Sequence, residues 1–158
     1  MTTKASLRIL LGWFIMLFSL TPLVPATAAV SKSTPRTGNC YMLSTEDRQA
    51  SSWTSPPVKC SRPHNSEVYV VAKWPSKIPP FMMTEDESRV LAKEVCIDQN
   101  WSARLGEYFD YWAWFAPDKK AWSKGARWLR CDAMKLLNYD ESLSSDQYEF
   151  EVWAGRRS

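Results

Sequence analysis

Four cysteines constrain this 158-residue chain more than any other feature. They are Cys40, Cys60, Cys96 and Cys131, and all lie downstream of an apolar N-terminal segment. An even number of cysteines in an exported chain is typical of a disulfide-stabilised domain, whereas catalytic or metal-binding thiols are typical of reducing compartments. We therefore expect two disulfides. Sequential pairing, Cys40 with Cys60 and Cys96 with Cys131, is the connectivity we favour among the alternatives that four cysteines allow.

Residues 1–29 have the layout of a secretory signal peptide. Lys4 and Arg8 precede an apolar run at 9–20, and a small-residue motif that a signal peptidase reads ends at Ala28. The run is shorter than the roughly 20 apolar residues that a membrane-spanning helix needs. We therefore expect cleavage and export to the extracellular space or the cell envelope. An uncleaved signal is the alternative, and it would be the chain's only contact with the membrane.

The net charge of the whole chain, +3, comes mainly from the signal. Lys4 and Arg8 leave with it, whereas all 17 acidic side chains stay, so the net charge of the mature chain falls to +1. Nucleic-acid binding needs a concentrated basic surface, which this balance does not provide. We expect no nucleic-acid partner and no cofactor.

The clearest helix begins after Thr84. Thr84 and Glu87 have the spacing of a capping box, and Gly106 is expected to end the helix. At about 100° per residue, Cys96 lies outside the apolar stripe of this helix, so its partner is expected to approach from the flank. The residues of the stripe are Val90, Leu91, Val95, Ile97, Trp101 and Leu105.

Alternating and β-branched segments indicate a small sheet. The predicted strands are 68–74, 108–115, 126–133 and an edge strand at 148–152. Strict alternation in the first of these places Val68, Val70, Ala72 and Trp74 on one face. The predicted fold class is α+β: a small, mostly antiparallel sheet with one main helix and two disulfides. It forms a single domain over residues 39–158, preceded by a flexible lead-in at 30–38.

The segment 108–115 holds six aromatic residues. As a strand it directs Tyr108, Trp112 and Trp114 to the same face. Packing in the core is the interpretation we favour. Exposed in a row, the same three side chains would form a binding face for a protein or a glycan, and they are the candidate binding residues.

His64 is the only histidine, so any histidine-dependent chemistry depends on it. Cys60 and His64 are spaced like zinc ligands, but a structural site needs about four ligands and we expect the cysteines to be oxidised, so no metal is predicted. A hydrolase would need a nucleophile and an acid within reach of His64, and Ser61, Ser66 and Glu67 are close only in sequence. We favour a structural histidine that hydrogen-bonds a turn, with no catalytic residue.

Several short motifs together resemble a known family. They are Gly38-Asn39-Cys40, Cys60-x-x-Pro63-His64-x-x-Glu67-Val68, Cys96 on a helix, and Trp122-x-x-Gly125-x-Arg127-x-x-x-Cys131. This pattern, over about residues 38–131, resembles the septum-formation domain family of high-GC Gram-positive bacteria, whose members are exported or membrane-anchored. That family more often has Gly-Asp-Cys where this chain has Gly38-Asn39-Cys40.

The resemblance implies a connection with cell division and brings no reaction, cofactor or catalytic residue. At the motif positions, Gly125 would permit a tight turn, and Arg127 would donate to a loop carbonyl or to an acid such as Glu67. We expect an exported, non-catalytic cell-envelope module associated with septum formation, whose partner is an envelope protein or a cell-wall glycan. The alternative is a secreted envelope hydrolase centred on His64 and a nearby carboxylate.

Overall fold

The structure is a computed structural model that describes residues 34–50, 55–138, 140, 142–144 and 147–158. The predicted signal peptide at 1–29 and the first part of the lead-in lie outside the described residues. Within the described part of the chain, no helix is both long enough and apolar enough to cross a membrane.

A five-stranded sheet forms the centre of the protein. In chain order its strands are β1 (Cys40–Tyr41), β2 (Pro57–Val58), β3 (Ser66–Lys73), β4 (Tyr111–Phe115) and β5 (Trp128–Met134). Their order across the sheet is β2-β1-β3-β5-β4, and every neighbouring pair is antiparallel. The helices are α1 (Thr45–Gln49), α2 (Glu85–Lys93), α3 (Ala103–Tyr108) and α4 (Lys119–Ser123). The predicted α+β class is confirmed.

β3 contains a bulge between Val68 and Val70. A bulge places two successive residues on the same side of a strand. Tyr69 and Val70 therefore both pack on the helix side of the sheet, whereas Val68 packs on the opposite side. The predicted strict alternation, with Val68 and Val70 on one face, is wrong for this reason.

The main helix begins as predicted and ends differently. Thr84 Oγ1 accepts from the Glu87 N–H, and the Glu87 carboxylate accepts from the Thr84 N–H, so the capping box is formed. After α2 the chain continues through a π-helical turn, Glu94–Gln99. Gly106 does not end the helix but lies inside α3, whose first turn is capped by Ser102.

Five of the six residues of the predicted apolar stripe are buried in the core or packed against it, and Val90 is the exception. Val90 is 66% exposed. The buried residues are Ser88, Ala92, Val95 and Cys96, which follow the i, i+4, i+7, i+8 spacing of one helix face. Val95 and Leu105 of the predicted stripe are buried, whereas Leu91, Ile97 and Trp101 pack against the core while partly buried.

Both disulfides have the favoured sequential pairing. Cys40–Cys60 joins β1 to the turn before β3, and Cys96–Cys131 joins the main helix to β5. Cys96 and Cys131 are fully buried between helix and sheet. The predicted approach of Cys131 from the helix flank is therefore wrong, because Cys96 belongs to the buried face.

Alternation along β5 separates two cores on the two sides of the sheet. Leu129, Cys131 and Ala133 face the helix, whereas Met134 joins the opposite core with Tyr41 and Phe115. A second set of β5 side chains is charged and fully buried. Arg130 Nε donates to Asp132 Oδ1 at 2.6 Å, Ser66 donates to the same carboxylate, and the guanidinium carbon lies 3.7 Å from the Tyr41 ring centre.

Two predicted strand segments have other structures. Tyr108 is the last residue of α3, so the fourth strand is Tyr111–Phe115 and not 108–115. The segment 148–152 forms no strand, and near it only the bridges Leu136–Phe150 and His64–Trp153 are present among the described residues. Glu149 and Glu151 pair with Leu137 and Lys135, whereas Trp153 pairs with His64, so the backbone changes partner after Glu151 and no continuous ladder forms.

Candidate functional site

The histidine motif and the C-terminal segment form one buried corner, which we call the His64–Glu67 corner. The backbones of His64 and Trp153 exchange two hydrogen bonds, each of 2.9 Å, which brings the C-terminal segment against the start of β3. The His64 side chain is fully buried, and Glu67 is 1% exposed. Pro63, the exposed residue before His64, fixes φ at the entry to this corner.

The Glu67 carboxylate holds the C-terminal segment by accepting four hydrogen bonds. Oε1 accepts from the Trp153 indole N–H at 2.9 Å and from the Arg157 backbone N–H at 2.8 Å. Oε2 accepts from the Ser158 backbone N–H at 2.9 Å and from its hydroxyl at 2.5 Å. Burial alone would raise the pKa of Glu67, but the bonds from Ser158, Trp153 and Arg157 together lower it below its ordinary value.

The imidazole of His64 makes two polar contacts. Nδ1 lies 2.8 Å from the Arg62 carbonyl oxygen, which can only accept, so Nδ1 carries the hydrogen. Nε2 lies 3.5 Å from Glu67 Oε1. The ring also packs against Trp153, with ring centres 4.8 Å apart. The predicted hydrogen bond of His64 to its turn is confirmed.

The hydroxyl groups near the corner donate to carboxylates and not to His64. Ser66 donates to Asp132, and Ser158 donates to Glu67. Ser61, the other serine of the motif, is exposed. A serine hydrolase needs its hydroxyl on the imidazole nitrogen, with the acid on the other nitrogen. The corner brings the candidate acid to His64 and leaves the nucleophile position without a serine among the described residues.

The second motif forms a small cluster on the surface. The Arg127 guanidinium lies 3.8 Å from the centre of the Trp122 ring and donates to the Trp122 carbonyl at 2.8 Å. The alternative partner, Glu67, is instead surrounded by the C-terminal segment, so of the two expected bonds the one to a loop carbonyl is formed. Gly125 has φ +92°, a conformation that L side chains rarely adopt, and it allows the turn between α4 and β5.

The three candidate aromatic binding residues do not form a row. Trp112 and Trp114 share the helix side of β4, where both are half-buried against the core. The ring of Trp114 lies 6.0 Å from that of Trp74. Tyr108 is exposed at the end of α3. The two tryptophans are therefore only partly accessible to a ligand, and Tyr108 belongs to a different element, α3.

An apolar groove lies beside α2, and sequence reasoning missed it. It has a volume of about 740 Å³. Its lining residues are Pro75, Ser76, Lys77, Met83, Asp86, Glu87, Val90 and Leu91. The connection from β3 to α2 adds exposed apolar side chains, Ile78, Phe81 and Met82, of which Met82 is 71% exposed. The sequence signal for this surface is the cluster Phe81-Met82-Met83 after Pro79-Pro80.

Comparisons of the chain with protein-family models, with curated proteins and with solved structures found no match.

Proposed function

We propose that this protein is an exported, non-catalytic cell-envelope module that binds a protein partner through the groove beside α2, in association with septum formation. One observation carries the proposal. The groove is floored by apolar side chains that a folded domain normally buries, including Val90 at 66% exposure. Clefts of this volume lined mainly by apolar side chains are common binding sites in proteins.

The chemistry of the groove favours a protein segment over a glycan. Its floor combines Met83, Val90 and Leu91, and methionine adapts to apolar side chains of varied shape. Glycan recognition would rely on exposed aromatic faces, whereas Trp112 and Trp114 are half-buried. The partner we propose presents apolar side chains to this floor.

The charged rim adds a preference for the partner. Two acidic residues, Asp86 and Glu87, and one basic residue, Lys77, line the groove, so acidic side chains outnumber basic ones there. Asp86 is also paired with Arg89 at 2.7 Å, and both side chains are exposed. An amphipathic segment with a basic residue beside its apolar face complements this rim, and complementary charge sets orientation and association rate more than affinity.

Two features support the cellular part of the proposal. Two disulfides favour an extracellular or exported protein. The Cys-x-x-Pro-His and Trp-x-x-Gly-x-Arg motifs resemble those of the septum-formation domain family. The hydrolase alternative receives less support, because His64 is buried and the Glu67 carboxylate is occupied by backbone and side-chain donors.

The proposal is tested by imaging a fluorescent fusion in dividing cells. The fluorescent protein is inserted between the signal peptide and Thr34, because the C-terminal residues are held by Glu67. Val90→Asp places a charge in the groove, and Val152→Asp is the matched control, since Val152 is 52% exposed outside the groove. We expect septal enrichment of the wild type and of the control, and its loss in Val90→Asp.

The two parts of the proposal fail in distinguishable ways. Uniform envelope staining of the wild type would contradict the septal role. Septal enrichment of Val90→Asp equal to that of the wild type would contradict binding through the groove. The free energies of unfolding of the two purified variants, followed by thermal denaturation, should lie within about 0.5 kcal/mol of the wild-type value, as is usual for surface substitutions.

A further inference from the structure

Three side chains of metal-ligand type meet at the His64–Glu67 corner, and a fourth, Cys60, is bonded to one of them. Cys40 Sγ, a ring nitrogen of His64 and a carboxylate oxygen of Glu67 lie within 4.8 Å of one another, and all three residues are buried. Cys60 Sγ is bonded to Cys40 Sγ, so it belongs to the same cluster. Two cysteines, a histidine and a carboxylate form a donor set that suits zinc.

We propose that the reduced form of this protein binds one zinc ion through Cys40, Cys60, His64 and Glu67. Zinc bonds of about 2.0–2.3 Å in a tetrahedral site separate neighbouring ligand atoms by about 3.3–3.8 Å. The separation of His64 Nε2 and Glu67 Oε1, 3.5 Å, already lies in that range. The sequence-based expectation of no metal rested on too few ligands and on oxidised cysteines; the proposal supplies four ligands and concerns the reduced form.

The orientation of His64 supports the same assignment. Its Nδ1–H donates to the Arg62 carbonyl, which directs Nε2 toward Glu67. In metal-binding histidines, the ring nitrogen that does not bind the metal commonly donates a hydrogen bond to a carbonyl or carboxylate, which fixes the orientation of the ring. In the zinc-bound form, Glu67 Oε1 would exchange one of its two present donors, the Trp153 indole N–H or the Arg157 backbone N–H, for the metal.

The switch between the two forms is a two-electron step. A dithiol reductant breaks the Cys40–Cys60 bond, becomes a disulfide itself and leaves two thiols on the protein. Zinc then binds the two thiolates, and both thiol protons pass to solvent. The reduced chain precedes the oxidised one during maturation. Bound zinc would keep Cys40 beside Cys60 until an oxidant forms the disulfide.

The second disulfide provides a matched control, since His64 is the only histidine and lies at the other cysteine pair. Two double variants are compared with the wild type: C96S/C131S, which keeps the proposed ligands, and C40S/C60S, which removes two of them. Each protein is reduced, and zinc chloride binding is measured by equilibrium dialysis. Cobalt chloride serves as a second probe, because thiolate ligands give cobalt a charge-transfer absorption band.

We expect one zinc per reduced chain in the wild type and in C96S/C131S. C40S/C60S should bind at least about tenfold more weakly, as should His64→Ala in the C96S/C131S background. The oxidised wild type should show no thiolate–cobalt band. Absence of zinc binding by the reduced wild type would overturn the proposal. Equal binding by the two double variants would also overturn it, since an unfolded chain would use either cysteine pair.

Discussion

The substitution Glu67→Gln tests whether one buried carboxylate holds the C-terminal segment in place. Glutamine has nearly the same shape, but it carries no charge and replaces one oxygen with an NH2 group. The most favourable orientation keeps the amide oxygen at the Oε1 position, where it still accepts from the Trp153 indole and the Arg157 backbone. The NH2 group then faces the Ser158 backbone N–H, which loses its acceptor, and the Ser158 hydroxyl, which can turn to accept from it.

The magnitude follows from these four hydrogen bonds. Bonds to a charged group contribute about 1.5–3 kcal/mol each, and neutral ones about 0.5–1.5 kcal/mol, so the two bonds kept at Oε1 lose about 1 kcal/mol each. Ser158 is exposed, so its N–H regains water and its loss adds about 1 kcal/mol more. We expect a loss of about 3 kcal/mol in the free energy of unfolding, or about 10 °C in Tm.

Thermal unfolding followed by circular dichroism measures this loss, with Glu107→Gln, at an exposed position of α3, as the control. The pH dependence gives a second readout. Because folding lowers the pKa of Glu67 below 4.5, its stabilising effect is present above that pH and is lost as the pH falls through the folded-state pKa. The Tm difference between wild type and Glu67→Gln should therefore shrink in acid.

Two results would refute this reasoning. A Tm of Glu67→Gln equal to that of Glu107→Gln at neutral pH would show that the carboxylate does not hold the C-terminal segment. A Tm difference from the wild type that stays constant from neutral pH to well below 4.5 would show that the loss comes from shape or packing and not from the charge.

Three further substitutions test other parts of the fold. Asp132→Ala leaves the fully buried Arg130 without its carboxylate and should cost about 3–5 kcal/mol in chemical denaturation; a loss below 1 kcal/mol would contradict the buried pair. Thr84→Ala removes the capping box of α2 and should cost about 1 kcal/mol. Arg127→Ala removes the stacking on Trp122 and two carbonyl bonds, and should cost about 1 kcal/mol because the site is exposed; unchanged stability would contradict this account.

The sequence predicted the local features of the fold well. The start of the main helix at Thr84 depends on side-chain to backbone hydrogen bonds between residues three positions apart. Such a motif can be recognised from a few neighbouring residues of the sequence. The helix face was predictable only in part: Val95 of the apolar stripe is buried, but so are Ser88, Ala92 and Cys96, which an apolar pattern does not select. The bulge at Val68–Val70 likewise depends on the partner strand β5.

The candidate site was only half predictable. The sequence indicated that His64 lies in a turn and that Cys40 pairs with Cys60, since both features are close along the chain. The partners of Glu67 are 86 to 91 residues away, and no local pattern connects them. The alternation of polar and apolar residues at 148–152 predicts a strand. Such a pattern does not specify the neighbour with which the segment pairs, so the structure can differ there.

The long sequence separation at Glu67 has a consequence for the order of folding. Its backbone partners, Arg157 and Ser158, follow it by 90 and 91 residues. Closing a loop of 90 residues costs more conformational entropy than forming local contacts such as the capping box at Thr84, so we expect the corner to form after those contacts when the domain refolds.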